Sequence, residues 1–364
     1  MPALGRAAGP LRTLAPGIAV AILLALLARL LAAQLAAGAA GLPKLPLSPV
    51  MCAILLGMLW RNILGVPGWA AGGLSWTMQR LLRIGIALVG MRLTLAGAGL
   101  IAITALPVAL TCLLVALGAG WLVARLLRVP AALGVLLAVG TAVCGCTAVV
   151  ALSPVIRARH AETAFAVTCV VLFGCVAMLL YPYLAAHFFA AAPVHAGIFL
   201  GTAIHDTSQV IGAALIYAQQ SAAPQALAAA SVAKLLRNLS IAVLIPLAAW
   251  RMRDATARGA VDETAARPSL LPFFVVGFIL CILMRSAGDA LFGAPSPGWV
   301  GVVHASTTAS DLLLTCGMTA VGLSVSFADM WRIGWRPLGA GFTLASLVGA
   351  CSLLLNLVLM GWGW

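Results

Sequence analysis

Apolar stretches long enough to cross a hydrocarbon core of about 30 Å recur along this chain at 12–37, 47–64, 76–97, 101–126, 131–156, 161–187, 194–218, 226–250, 269–291, 304–327 and 337–362. Together they leave little chain for anything else. The expected fold is therefore an all-α polytopic membrane protein of 9–11 transmembrane segments, a single membrane domain over residues 1–364. Composition agrees: residues are 63% hydrophobic and 8% charged, with a mean hydropathy of +1.14, where a soluble domain carries about 25% charged residues.

A net charge of +13 does not call for nucleic acid, because the basic residues stand singly at helix ends, as the positive-inside rule expects of cytoplasmic anchors. The first segment carries Arg6 and Arg12, but its apolar stretch is longer than a signal-peptide core, so it is read as a helix. The nine cysteines lie almost entirely inside apolar runs, where they pack as small hydrophobes. Residues 252–268, with Asp254, Asp262 and Glu263, are expected to form one hydrophilic cytoplasmic loop that divides the bundle without ending it.

Loop charges locate an irregularity. With a cytoplasmic N-terminus, alternating spans put Arg61, Arg80, Arg83, Arg125 and Arg128 inside but send Arg157 and Arg159 outside. If 131–156 enters and turns back, both arginines return inside, and 194–218 must then turn back as well. Arg251, Arg253, Arg258, Arg267, Arg332 and Arg336 then fall inside, and Lys44 is the one clear external loop charge. The alternative is eleven full spans with one mis-sided loop. The two segments singled out share a pattern, GTAVCGCTAVVA at 140–151 and GTAIHDTSQVIG at 201–212. Small, hydroxylated and ionisable residues inside hydrocarbon mark interrupted helices, and paired interruptions point to a transport site. Weaker echoes, such as Gly85 to Gly90 with Gly317 to Gly322, suggest internal duplication without mapping it.

Segment 226–250 contains Lys234 and Arg237, which i, i+3 spacing puts on one helical face with Asn238 beside them. Each mid-helix charge costs roughly 2.5–3.5 kcal/mol on insertion scales, so the pair should face the bundle interior and a counter-charge. A bound anion would supply one, gripped by the planar fork of Arg237 and the point charge of Lys234. The structural alternative is that Lys234 snorkels and Arg237 pairs with Asp206. His205 and Asp206 form a titratable pair ahead of Thr207, Ser208 and Gln209, suited to ion coupling or to holding the break together. Thr141, Cys144, Gly145 and Thr147 complete the expected site. Cys144 and Cys146 do not have zinc spacing, so no metal and no cofactor is expected. Arg285, Asp289 and Asp311 sit toward the outer ends of their segments, as vestibule or surface charges.

The stretches LSPVMCAILLGM at 47–58 and LRIGIALVG at 82–90, Cys144–Gly145 through Ser153-Pro154, His205–Asp206 to Gln209–Val210, and Lys234 to Arg237 together resemble the YeiH-like family, bacterial inner-membrane proteins associated with sulfate export. The resemblance runs over most of the chain. It implies the cation:proton antiporter and bile-acid symporter superfamily, with inverted repeats, broken helices crossing at mid-membrane and alternating access. This chain has Asp206 where the family pattern has Glu, which shortens the reach by one methylene.

The expected function is secondary active transport of a small inorganic or organosulfur anion, foremost sulfate, across the bacterial cytoplasmic membrane. Lys234, Arg237 and Asn238 would bind the anion, with His205 and Asp206 coupling transport to H+ or Na+. No GxxxxGK[ST] loop for ATP is present, and neither H-E-x-x-H nor a serine or cysteine catalytic constellation supports an enzyme. A carboxylate carrier and an anion channel are the competing readings, and a homodimer is left open.

Overall fold

The computed structural model describes residues 11–37, 47–240, 243–244, 273–292, 296–328 and 335–362. The expected loop at 252–268, with Arg251 and Arg253, lies outside the described residues, as do Arg6, Lys44 and Arg332. Every regular element among the described residues is helical: α1 (Leu11–Ala37), α2 (Pro49–Ile63), α3 (Gly68–Trp76), α4 (Leu82–Val89), α5 (Leu95–Leu126), α6 (Ala131–Ala142), α7 (Cys146–Leu152), α8 (His160–Phe188), α9 (Pro193–Ala203), α10 (Thr207–Gln220), α11 (Gln225–Leu239), α12 (Phe273–Phe292), α13 (Pro297–Ser324) and α14 (Trp335–Gly361). Helices α1, α5, α8, α12 and α14 are long and apolar enough to cross a membrane. This is an all-α polytopic membrane fold, as hydrocarbon demands of a backbone that must satisfy its own polar groups.

The chain forms two compact units interleaved in sequence, one from residues 1–95, 215–224 and 276–328, the other from 96–214, 225–275 and 329–364. In the first unit, helices meet through glycine. A Cβ on Gly17 of α1 would lie 2.2 Å from the Ala70 carbonyl oxygen of α3, and one on Gly322 of α13 would lie 2.3 Å from that of Ile54 in α2. Small residues let backbones approach this closely, which is how helices associate where lipid is as apolar as leucine. Arg92 pairs with Asp311 at 2.7 Å. Arg285 pairs with Asp289 at 2.9 Å, and the same carboxylate accepts the Trp299 indole N–H at 2.7 Å.

Two boundaries in this unit differ from expectation. The segment expected at 76–97 begins at Gly68 and continues through a π-helical turn, Thr77–Leu81, and a 3-10 turn, Gly90–Arg92. Gly73 in this added stretch is a contact surface for α1, with a would-be Cβ 2.2 Å from the Leu14 carbonyl oxygen. The segment expected at 304–327 likewise begins earlier, with Pro297 and Gly298 opening α13. Proline suits a first helical position because its missing N–H would be unpaired there anyway.

The second unit packs α5–α9, α11 and α14 around one apolar core that includes Cys112, Leu136, Val149, Cys169, Ile198, Ala233 and Val348. Both segments expected to be interrupted are interrupted, α6 from α7 at residues 143–145 and α9 from α10 at residues 204–206. In the first, a Cβ on Gly140 would lie 2.7 Å from a Val149 methyl. A helix continuing straight would put nine residues of rise, about 13 Å, between those positions, so α7 folds back beside α6.

Candidate functional site

The first break is built by Gly145. Its φ of +68° is a conformation that side chains with a Cβ rarely adopt. At this position a Cβ would also lie 3.1 Å from the Asp206 Cα and 3.0 Å from its Oδ2, so the tips of the two breaks touch. In the second break, Ile204 is extended, with φ −90° and ψ 141°. Asp206 then starts α10: its Oδ1 accepts the Ser208 backbone N–H at 2.9 Å and the Ser208 hydroxyl at 2.5 Å, satisfying donors that a helix start leaves open.

Helix α11 is set against α9 by small residues four apart. A Cβ on Gly197 would meet the Ala226 carbonyl oxygen at 2.3 Å and one on Gly201 that of Ala230 at 2.6 Å. One turn further along the same register, Lys234 arrives opposite residues 204 and 205. Its Nζ donates to the carbonyls of Val143 at 2.9 Å, Ile204 at 3.0 Å and His205. Arg237 donates through Nε to Ala142 O at 3.0 Å, through Nη2 to Thr141 O at 2.5 Å and through Nη1 to Thr202 O. Both side chains are 1% exposed. Each cation therefore binds carbonyls from both breaks, at the C-terminal ends of α6 and α9, where unsatisfied carbonyls carry partial negative charge.

This arrangement corrects the structural alternative drawn from the sequence. Lys234 is buried and does not snorkel, and neither cation forms an ion pair with Asp206. Other expected site residues divide. Cys144, Gly145, Asp206 and Thr207 gather at the breaks, and Asn238 donates to the Thr207 hydroxyl at 3.3 Å. The buried Asn238 Oδ1 and His205 Nδ1 have no hydrogen-bond partner among the described residues. Thr147 is exposed on α7. Gln209 turns toward α8, donating to the Val171 carbonyl at 3.0 Å and resting where a Gly174 side chain would be, 1.9 Å from a Cβ there. No cluster of His, Cys, Asp or Glu suited to a metal occurs among the described residues.

Sequence reasoning missed a buried polar line between α9 and α14. The Thr202 and Ser352 hydroxyls meet at 2.7 Å, Asn356 donates to Ser352 O at 2.8 Å, and His195 Nδ1 lies 3.4 Å from Asn356 Oδ1. The i, i+4 pair Ser352 and Asn356 inside an apolar run was the available signal. The small-xxx-small spacings of Gly197 with Gly201 and Ala226 with Ala230 were the signal for the α9–α11 contact.

A family profile described as conserved hypothetical protein 698 matches residues 16–341. A UPF0324 membrane protein of Bacillus cereus is 30% identical over 330 residues, covering 88% of this chain and 86% of the relative. One from Ralstonia nicotianae is 34% identical over 316 residues, covering 81% of each, and one from Pseudomonas putida is 32% identical over 318 residues, covering 85% and 84%. No solved structure matches the chain. The chain belongs to this UPF0324 family of membrane proteins, with which the YeiH-like resemblance agrees.

Proposed function

We propose that this UPF0324 membrane protein is a secondary active transporter of a small anion, foremost sulfate or a related sulfur oxyanion, working by alternating access in the bacterial cytoplasmic membrane with its N-terminus inside. The observation that carries the reading is the bonding of two fully buried cations, Lys234 and Arg237, to the carbonyls of both helix breaks. Two such helix ends together offset about one unit of positive charge. One unit remains, and Asp206 is the acid at the tips. When Asp206 is ionised the charges balance; when it is protonated, one positive charge is left for an anion at the same place. The donors of Ser208, now on Asp206, are of the kind an oxyanion would use. Anion binding and protonation of Asp206 would then be linked, and a gradient would drive the cycle.

Sodium is the second candidate for the coupling ion, favoured by the buried, partnerless acceptor Asn238 Oδ1, since a hard cation takes oxygen ligands. An enzymatic role is not part of this reading.

The test is labelled sulfate counterflow in proteoliposomes, with sulfite, thiosulfate, taurine and small carboxylates as competitors. Saturable sulfate exchange that tightens on acidification supports the reading. Exchange of a carboxylate that sulfate does not inhibit replaces the cargo. Unitary currents in place of counterflow replace the carrier with a channel.

A further inference from the structure

Helices α5 and α6 approach through small residues at two levels. A Cβ on Gly120 would lie 2.3 Å from the Ala138 Cβ, and one on Gly134 would lie 2.5 Å from that of Ala124. Backbones this close leave a furrow along the outside of the pair, of 510 Å³, lined by Leu117, Trp121, Ala124, Val135 and Ala138 with Arg125 at one end. The furrow is open, since Trp121 is 65% and Val135 44% exposed. It also runs along a helix of membrane-crossing length and hydropathy, so hydrocarbon rather than water is its natural surrounding.

Its charged end is distinctive. Arg125 occupies the last turn of α5 and stands 5.5 Å from the centroid of the Trp121 ring. Arg128 follows at a φ of +53° and donates its backbone N–H to the Arg125 carbonyl at 3.3 Å, which holds both arginines at the same end of the helix. Both are exposed, and neither forms an ion pair with any described residue. The site thus joins an apolar furrow of acyl-chain character to two uncompensated cations, with a tryptophan where interface aromatics belong. A soluble anion would gain nothing from the furrow, and a zwitterionic lipid would bring its own ammonium beside the phosphate and leave the site with its net positive charge.

We propose that the α5–α6 furrow binds an anionic glycerophospholipid, an acyl chain lying along Leu117, Trp121 and Val135 and the phosphate resting on Arg125 and Arg128. This site is separate from the helix breaks and does not depend on the transport reading. Basic groups at the ends of membrane helices attract anionic head groups, and two arginines are expected to give a preference of about tenfold or more.

The full chain in nanodiscs of equal phosphatidylglycerol and phosphatidylcholine is transferred to detergent, and retained lipid is quantified by native mass spectrometry. Phosphatidylglycerol should be enriched about tenfold or more. The double variant Arg125→Gln/Arg128→Gln should bring the two lipids near parity, and Val135→Trp, filling the furrow from an exposed position, should lower retention of both. No preference in the wild type, or a preference that survives the arginine substitutions, overturns the proposal. Unchanged retention in Val135→Trp also overturns it, because the arginines would then act as a surface patch without a furrow.

Discussion

Gly145 and Asp206 meet tip to tip, with the glycine Cα face so near the aspartate that a single added carbon would sit 3.1 Å from the Asp206 Cα. The two breaks are thus fitted to each other as well as to the cations behind them. Gly145→Ala would add that carbon and also force a φ of +68° on a residue with a Cβ, a strain of about 1–3 kcal/mol. The expected result is folded protein with a lowered melting temperature and anion counterflow reduced at least about tenfold, since misplacement of about an ångström at a site costs more than that. Counterflow at the wild-type rate would refute it.

Lys234→Met should be more destabilising than its size suggests. It strips three carbonyls of their donor, and each buried unsatisfied group costs about 1–3 kcal/mol. Arg237→Met should do likewise, whereas Arg237→Lys keeps the charge and loses the fork, and should fall between Arg237→Met and wild type. Thermal unfolding in detergent reads the order directly. If Arg237→Lys is as unstable as Arg237→Met, the geometry of the fork matters more than its charge.

Asp206→Asn tests coupling with little structural cost. Asparagine is as good a helix N-cap as aspartate, so the bonds to Ser208 can persist. On the proposed linkage between anion binding and Asp206, anion affinity in the wild type should rise as pH falls. In the variant the carboxylate charge is absent at every pH, and affinity should be high and flat. A pH profile unchanged from wild type would exclude Asp206 as the linked group.

Gly174→Ala should destabilise by about 1–3 kcal/mol, the usual cost of overpacking, because the new methyl would fall 1.9 Å from Gln209 Oε1. Adding Gln209→Ala removes the collision, so the double variant should recover part of the loss. A double-mutant cycle on melting free energies measures this coupling, and strict additivity would contradict the contact.

Much of this arrangement could be read before any coordinates. The two interruptions follow from GTAVCGC and GTAIHDTS, which share a Gly-Thr-Ala start and set small and hydroxylated residues inside apolar runs, and from the loop charges that ask both segments to turn back. Burial of Lys234 and Arg237 follows from the cost of charge in lipid. What binds the cations could not be read, because carbonyls are the same at every position and leave no mark in the amino-acid order. The start of α3 at Gly68 was hidden for a related reason: a turn and a close helix contact both favour glycine, and only the partner of Gly73, Gly17, distinguishes them. Gln209 was assigned to the site by its neighbours in sequence, yet the space opened by Gly174 draws it toward α8 instead. Division into two interleaved units was also hidden, since uniformly apolar segments carry no label of the neighbours they will choose.

The order in which the chain is made gives the carbonyl-bound cations a further meaning. Residues 141–143 and 202–205 leave the ribosome before Lys234 and Arg237 do, and domains assemble from the N-terminal side during synthesis. By the time α11 reaches the bilayer, its acceptors are already there. A helix carrying two charges is a poor candidate for insertion alone, and here it enters against a surface that has been prepared to receive it. Deletion of α6, or relocation of α11 ahead of α9, should therefore leave α11 outside the membrane, which makes the later helix a dependant of the earlier two.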